Sequence, residues 1–106
     1  MALGYDPNEE SIVLSEGADF VVSLTEKGVQ WPDGTTCTLT FIEPATPVGP
    51  YTAVVNETAT AGGTASFVIP KTDTTAAKLP KGTKYRIHLT KDRTYLWFRG
   101  KVERQD

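Results

Sequence analysis

A single cysteine, Cys37, and a single histidine, His88, leave this 106-residue chain little reactive chemistry. One cysteine excludes an internal disulfide. Cys37 shares the parity of Leu39 and Phe41, so it reads as a small buried apolar residue. His88 falls on the polar parity of its own stretch, and the two make a poor nucleophile and base pair. No Cys or His cluster has metal spacing, and neither standard Gly-rich phosphate loop occurs. Loop carboxylates Asp33, Glu43 and Asp73 fit no EF-hand pattern. Long apolar runs are missing too: none approaches the roughly 20 residues of a membrane helix. The opening Met1–Pro7 lacks the basic and apolar regions of a signal peptide, so use without secretion is expected, and Asn56-Glu57-Thr58 reads as a chance glycosylation pattern. The expectation is a protein that is not an enzyme, holds no cofactor or metal and touches no membrane.

What is present is β-alternation broken by turn residues. A 106-residue chain with 39% hydrophobic and 23% charged residues is sized for one core. Residues 1–10, interrupted by Gly4, Pro7 and Asn8, read as an irregular arm ahead of a single domain over 11–106. Seven strands are expected, at 11–15, 18–25, 35–42, 51–57, 64–70, 85–90 and 94–103. The prolines at 44, 47 and 50 make residues 43–50 a stiff surface connection. Residues 71–79 have room for one helical turn, capped by Thr72 or Asp73 and ended by Pro80. Trp31, inside the turn-rich 26–34, is either a plug over the end of the core or an exposed contact. Seven short strands with almost no helix predict an all-β fold, an antiparallel β-sandwich.

Two features stand above that pattern. Leu79-x-x-Gly82-Thr83-x-Tyr85 resembles the tyrosine corner of immunoglobulin-like sandwiches. That resemblance implies a ring in the core and a hydroxyl tied to backbone a few residues upstream, just before the sixth strand. The second feature is Tyr95-Leu96-Trp97-Phe98-Arg99-Gly100-Lys101. Strict alternation puts Tyr95, Trp97, Arg99 and Lys101 on the outer surface and Leu96, Phe98 and Val102 inside, unless a bulge at Gly100 flips the register. Such a strip either shields the sheet, anchors a protein interface, or stacks on sugars or bases. Charge is segregated. Residues 81–106 carry eight cations against three acids, +5, and residues 1–80 carry −7, giving the net −2. A basic hairpin on an acidic body reads as a solvated face or as a contact with an acidic neighbour, another copy included; nucleic acid is the weakest reading.

The order of motifs is similar to a small β-sandwich family of virion proteins encoded by tailed bacteriophages, especially those of actinobacteria. The match runs through Ser15-Glu16-Gly17-Ala18-Asp19-Phe20, Trp31-Pro32-Asp33-Gly34, Thr38-Leu39-Thr40-Phe41, Ala65 to Ile69, Gly82 to Arg86 and Gly100-x-Val102, covering residues 11–104. N-terminal domains of phage baseplate and fibre proteins share the scheme. The resemblance implies a non-enzymatic virion component assembled in the host cytoplasm. A capsid accessory or decoration protein docked on neighbouring subunits is expected first. The alternatives are a small tail or baseplate component, or a glycan-binding module using Trp31, Tyr95 or Trp97.

Overall fold

The computed structural model describes residues 8–42, 48–58, 60 and 62–106. The described residues form nine strands: β1 (Asn8–Glu9), β2 (Ile12–Leu14), β3 (Phe20–Lys27), β4 (Thr36–Ile42), β5 (Tyr51–Thr52), β6 (Val54–Asn56), β7 (Gly62–Ile69), β8 (Lys84–Thr90) and β9 (Thr94–Arg104). They make two sheets. The larger runs β1-β9-β8-β4-β5, with β2 also on β9, and the smaller runs β3-β7-β6. The all-β sandwich expectation holds, with nine strands in place of seven, but the expected all-antiparallel pairing does not, since two strands run parallel to β9. The stretch expected as one strand over 51–57 is divided at Ala53, whose neighbours serve different sheets: β5 pairs with β4 and β6 with β7. The other addition is β1, within the stretch read as an irregular arm; it lies parallel to β9, as does β2. The proline-rich connection falls mostly outside the described residues.

Alternation explains most of the core. Cys37, Leu39 and Phe41 on β4, Ala65, Phe67 and Ile69 on β7, and Tyr85, Ile87 and Leu89 on β8 all point between the sheets and are buried. Burial pushes the Cys37 thiol up to about 12, so it stays protonated and acts as a small apolar side chain. Residues 71–79 hold turns and no helix: Asp73 N–H donates to the Pro70 carbonyl, and Lys78 and Leu79 N–H both donate to that of Thr75. Thr74, fully buried, donates its hydroxyl to the Ala18 carbonyl at 2.7 Å. The Arg104 guanidinium donates to the carbonyls of Thr74 and Leu79. These contacts to fixed carbonyls satisfy the segment locally, which removes the need for a helix.

The corner before β8 differs from the immunoglobulin type. Thr83 N–H and hydroxyl both close on the Pro80 carbonyl. The Tyr85 hydroxyl, however, donates to the carbonyl of Glu10, 75 residues away in sequence, not to a nearby upstream group. Tyr85 pairs with Gly100 across β8–β9, and it is over Gly100 that the hydroxyl reaches Glu10. A methyl group on Gly100 would run into the Glu10 carbonyl oxygen and crowd the Tyr85 ring at 3.0 Å. Gly100 is therefore where β9 lets the first strands and the tyrosine meet. Burial, then the nearby Glu10 charge, pushes the Tyr85 hydroxyl up to about 12.

Candidate docking surfaces

The β8–β9 ladder decides which side chains face outward. Pairing runs from Lys84↔Lys101 to Ile87↔Phe98, then jumps to His88↔Leu96. Trp97 is thus the extra residue of a β-bulge. The bulge turns Trp97 and Phe98 to the same side, and Trp97 is only 2% exposed. It meets Trp31 edge-on at 5.3 Å between ring centroids and Phe98 at 4.9 Å. The alternating assignment is corrected here: Trp97 is core, and the bulge lies three residues before Gly100. Tyr95, opposite the inward Leu89, sits at the mouth of the core end. Arg99 and Lys101, beyond the bulge, are on the outer face as expected.

Trp31 closes the end of the core and is 7% exposed, the plug of the two readings left open for it. Its ring lies over Gly63, where a side chain would enter the indole; its backbone N–H donates to the Glu57 carbonyl and its indole N–H to Glu26 Oε1 at 3.3 Å. Beside it opens a cleft of about 440 Å³ lined by Glu26, Trp31, Lys91, Asp92, Arg93 and Tyr95 among others. The five sequence-derived candidates are therefore divided. Trp31 and Tyr95 share this cleft, Trp97 supports it from beneath, and Arg99 and Lys101 stand on the outer sheet face.

That outer face carries an unusual charge pattern. Lys84 stands directly opposite Lys101, and Arg86 directly opposite Arg99, all four exposed. Like charges facing across an antiparallel ladder repel and destabilise the pair. Arg99 is relieved by Glu9 on β1, whose Oε1 accepts from Nη2 at 2.7 Å and from Nε at 3.0 Å. Lys84, Arg86 and Lys101 have no ion-pair partner among the described residues. Alternation showed these cations to be exposed; their head-to-head register could be seen only in the fold.

A second face was not anticipated. On the outside of the small sheet, Val21 pairs with Val68, Ser23 with Ser66, and Thr25 with Thr64; Val54 flanks Ser66 and Asn56 flanks Thr64. The three valines are 58–78% exposed. Paired hydroxyls bridge the next rows, Ser23 to Ser66 at 2.8 Å and Thr25 to Thr64 at 3.1 Å. Apolar side chains are thus exposed together on this face, a feature that makes it a candidate contact surface. The visible signal was the valines at polar-parity positions.

The two-layer β body thus presents one cationic outer face and one outer face rich in valine, serine and threonine. The chain belongs to the LtfC-like β-sandwich domain family, whose pattern it matches over residues 6–105, in keeping with the phage association implied by the motif order. No curated protein matches the chain.

Proposed function

We propose that this protein is a non-enzymatic structural component of a phage particle that docks on acidic neighbouring subunits through the outer face of β8 and β9. The observation that carries the reading is the register that sets Lys84 against Lys101 and Arg86 against Arg99, with Arg99 alone offset by an ion pair among the described residues. A fold does not keep self-repelling pairs on an exposed face for its own stability; an anionic partner covering them offsets the repulsion. The LtfC-like match supports a tail or fibre-type component and lends no support to head decoration in particular.

Substituting Lys84→Glu and Arg86→Glu together tests this. Each change turns a repulsive cross-strand pair into an attractive one, so unfolding free energy is expected to rise by roughly 0.5 kcal/mol per pair. Incorporation into particles should fall sharply, read as copies per purified virion against the major shell protein. A variant both more stable and incorporated at wild-type level removes this face from assembly. Copy number also separates the locations, with many hundreds meaning a shell and a handful a tail.

The cleft favours a second reading, a saccharide held against the host. Tyr95 is 47% exposed there, and Glu26, Asp92 and Arg93 rim the cleft. An aromatic ring ringed by polar groups suits the apolar face and hydroxyls of a sugar. Tyr95→Ala should then abolish binding of the folded protein to host-surface glycan; equal binding by the variant dismisses the cleft.

A further inference from the structure

Among the described residues the small sheet ends in an edge strand, β3, whose one inward charge, Glu26, stands near its far end. Among the described residues β3 pairs only with β7, on one side, through eight residues in unbroken register from Phe20↔Ile69 to Lys27↔Gly62. Native sheet edges are blunted by inward charges, prolines, bulges or brevity. From Phe20 to Thr25, β3 has none of these. Its inward side chains Phe20, Val22 and Leu24 are only half-buried. The reason is geometric. On this side the two sheets part, leaving an apolar cleft of about 320 Å³ lined by Ile12, Phe20, Val22, Leu24, Phe67 and Phe98 among others. A strand laid along β3 would satisfy its outer backbone groups and cover that cleft with its own inward side chains.

The geometry points to a second copy of this chain as that strand, through antiparallel β3–β3 pairing about a two-fold axis at Ser23. The strand is self-complementary in this register. Val22 falls opposite Leu24 on the inner side and Val21 opposite Thr25 on the outer side. Lys27, exposed at one end of β3, falls opposite the partner's Asp19, exposed just before its start. The symmetric contact forms that pair twice, and no like charge is brought face to face. The two three-stranded sheets become one continuous sheet, and the valine-rich outer faces merge into a single surface. This contact lies on the other sheet from the basic face, so it stands whether or not that face docks in a particle.

Light scattering of the purified full chain across a concentration series tests it. The wild type is expected to reach twice the 11.5 kDa chain mass. Ser23→Lys and Ser23→Asp each set like charges against each other at the axis, on an exposed position, and each variant alone should stay at the monomer mass. Mixed in equal amounts, they should recover the dimer. In the wild type, hydrogen exchange at β3 should slow with concentration while β7 is unchanged, a readout independent of whether either variant folds. A wild type that remains monomeric throughout overturns the pairing, with a foreign strand then left for the cleft. Variants that dimerise as the wild type does overturn it equally. Neither result bears on the particle incorporation of the Lys84→Glu, Arg86→Glu protein, so the two readings fail separately.

Discussion

Trp97→Ala is expected to cost about 3–5 kcal/mol of unfolding free energy, as other large core truncations do. Domains of this kind have only about 5–15 kcal/mol in total, so the variant should populate unfolded states at mild urea concentrations. Trp97 is among the largest fully buried side chains, and its ring is held edge-on by Trp31 and Phe98. Removing it leaves a cavity beneath Trp31, and both aromatic pairings are lost, each worth about 0.5–1.5 kcal/mol beyond its area. Trp97→Phe should retain part of this. Urea unfolding monitored by far-ultraviolet circular dichroism gives the number. A loss below about 1 kcal/mol would be the behaviour of a surface residue and would put the ring outside, where strict alternation had it.

Gly100→Ala is expected to come next, at roughly 2–4 kcal/mol, from one broken buried hydrogen bond and the partial exposure of Ile12 and Leu14. The added methyl displaces the Glu10 carbonyl, and that carbonyl is what the Tyr85 hydroxyl holds. The damage should be local. Amide exchange at Ile12–Leu14 should lose protection as β2 leaves β9, while β3 and β7 keep theirs. Uniform loss across both sheets, or none, would mean that β1 and β2 are not fastened through this point. Tyr85→Phe should reproduce the milder part of the effect, since it removes the hydroxyl and keeps the ring.

The two substitutions also mark where the sequence could be read and where it could not. Alternation in β3, β4, β7 and β8 placed Phe20, Phe41, Phe67 and Tyr85 on the correct side, because a half-buried strand with no inserted residue has a fixed period of two. In β9 the same rule failed at Trp97, since one extra residue changes the parity of everything before it and nothing local announces it. The cations beyond the bulge kept their parity, so Arg99 and Lys101 were recovered as surface residues. That they face Arg86 and Lys84 depends on register, which is set by pairing at a distance. The corner was half legible. Its glycine and tyrosine were recognisable, but the acceptor comes from Glu10, and no spacing near Tyr85 points to a carbonyl 75 residues back. Strand β1 was missed for a related reason: Asn8 and Glu9 have weak β-propensity, and their place depends on β9 and the Arg99 ion pair.

Strands β1 and β2 run beside β9 in the same direction, so the beginning of the described fold and its end are laced side by side. A pull applied between Asn8 and Arg104 loads those ladders along their length. Their hydrogen bonds must then yield together in shear, not open one after another as a hairpin does. The body should therefore resist tension along that line far better than tension applied across the β8–β9 turn, a directional toughness suited to a part that transmits force.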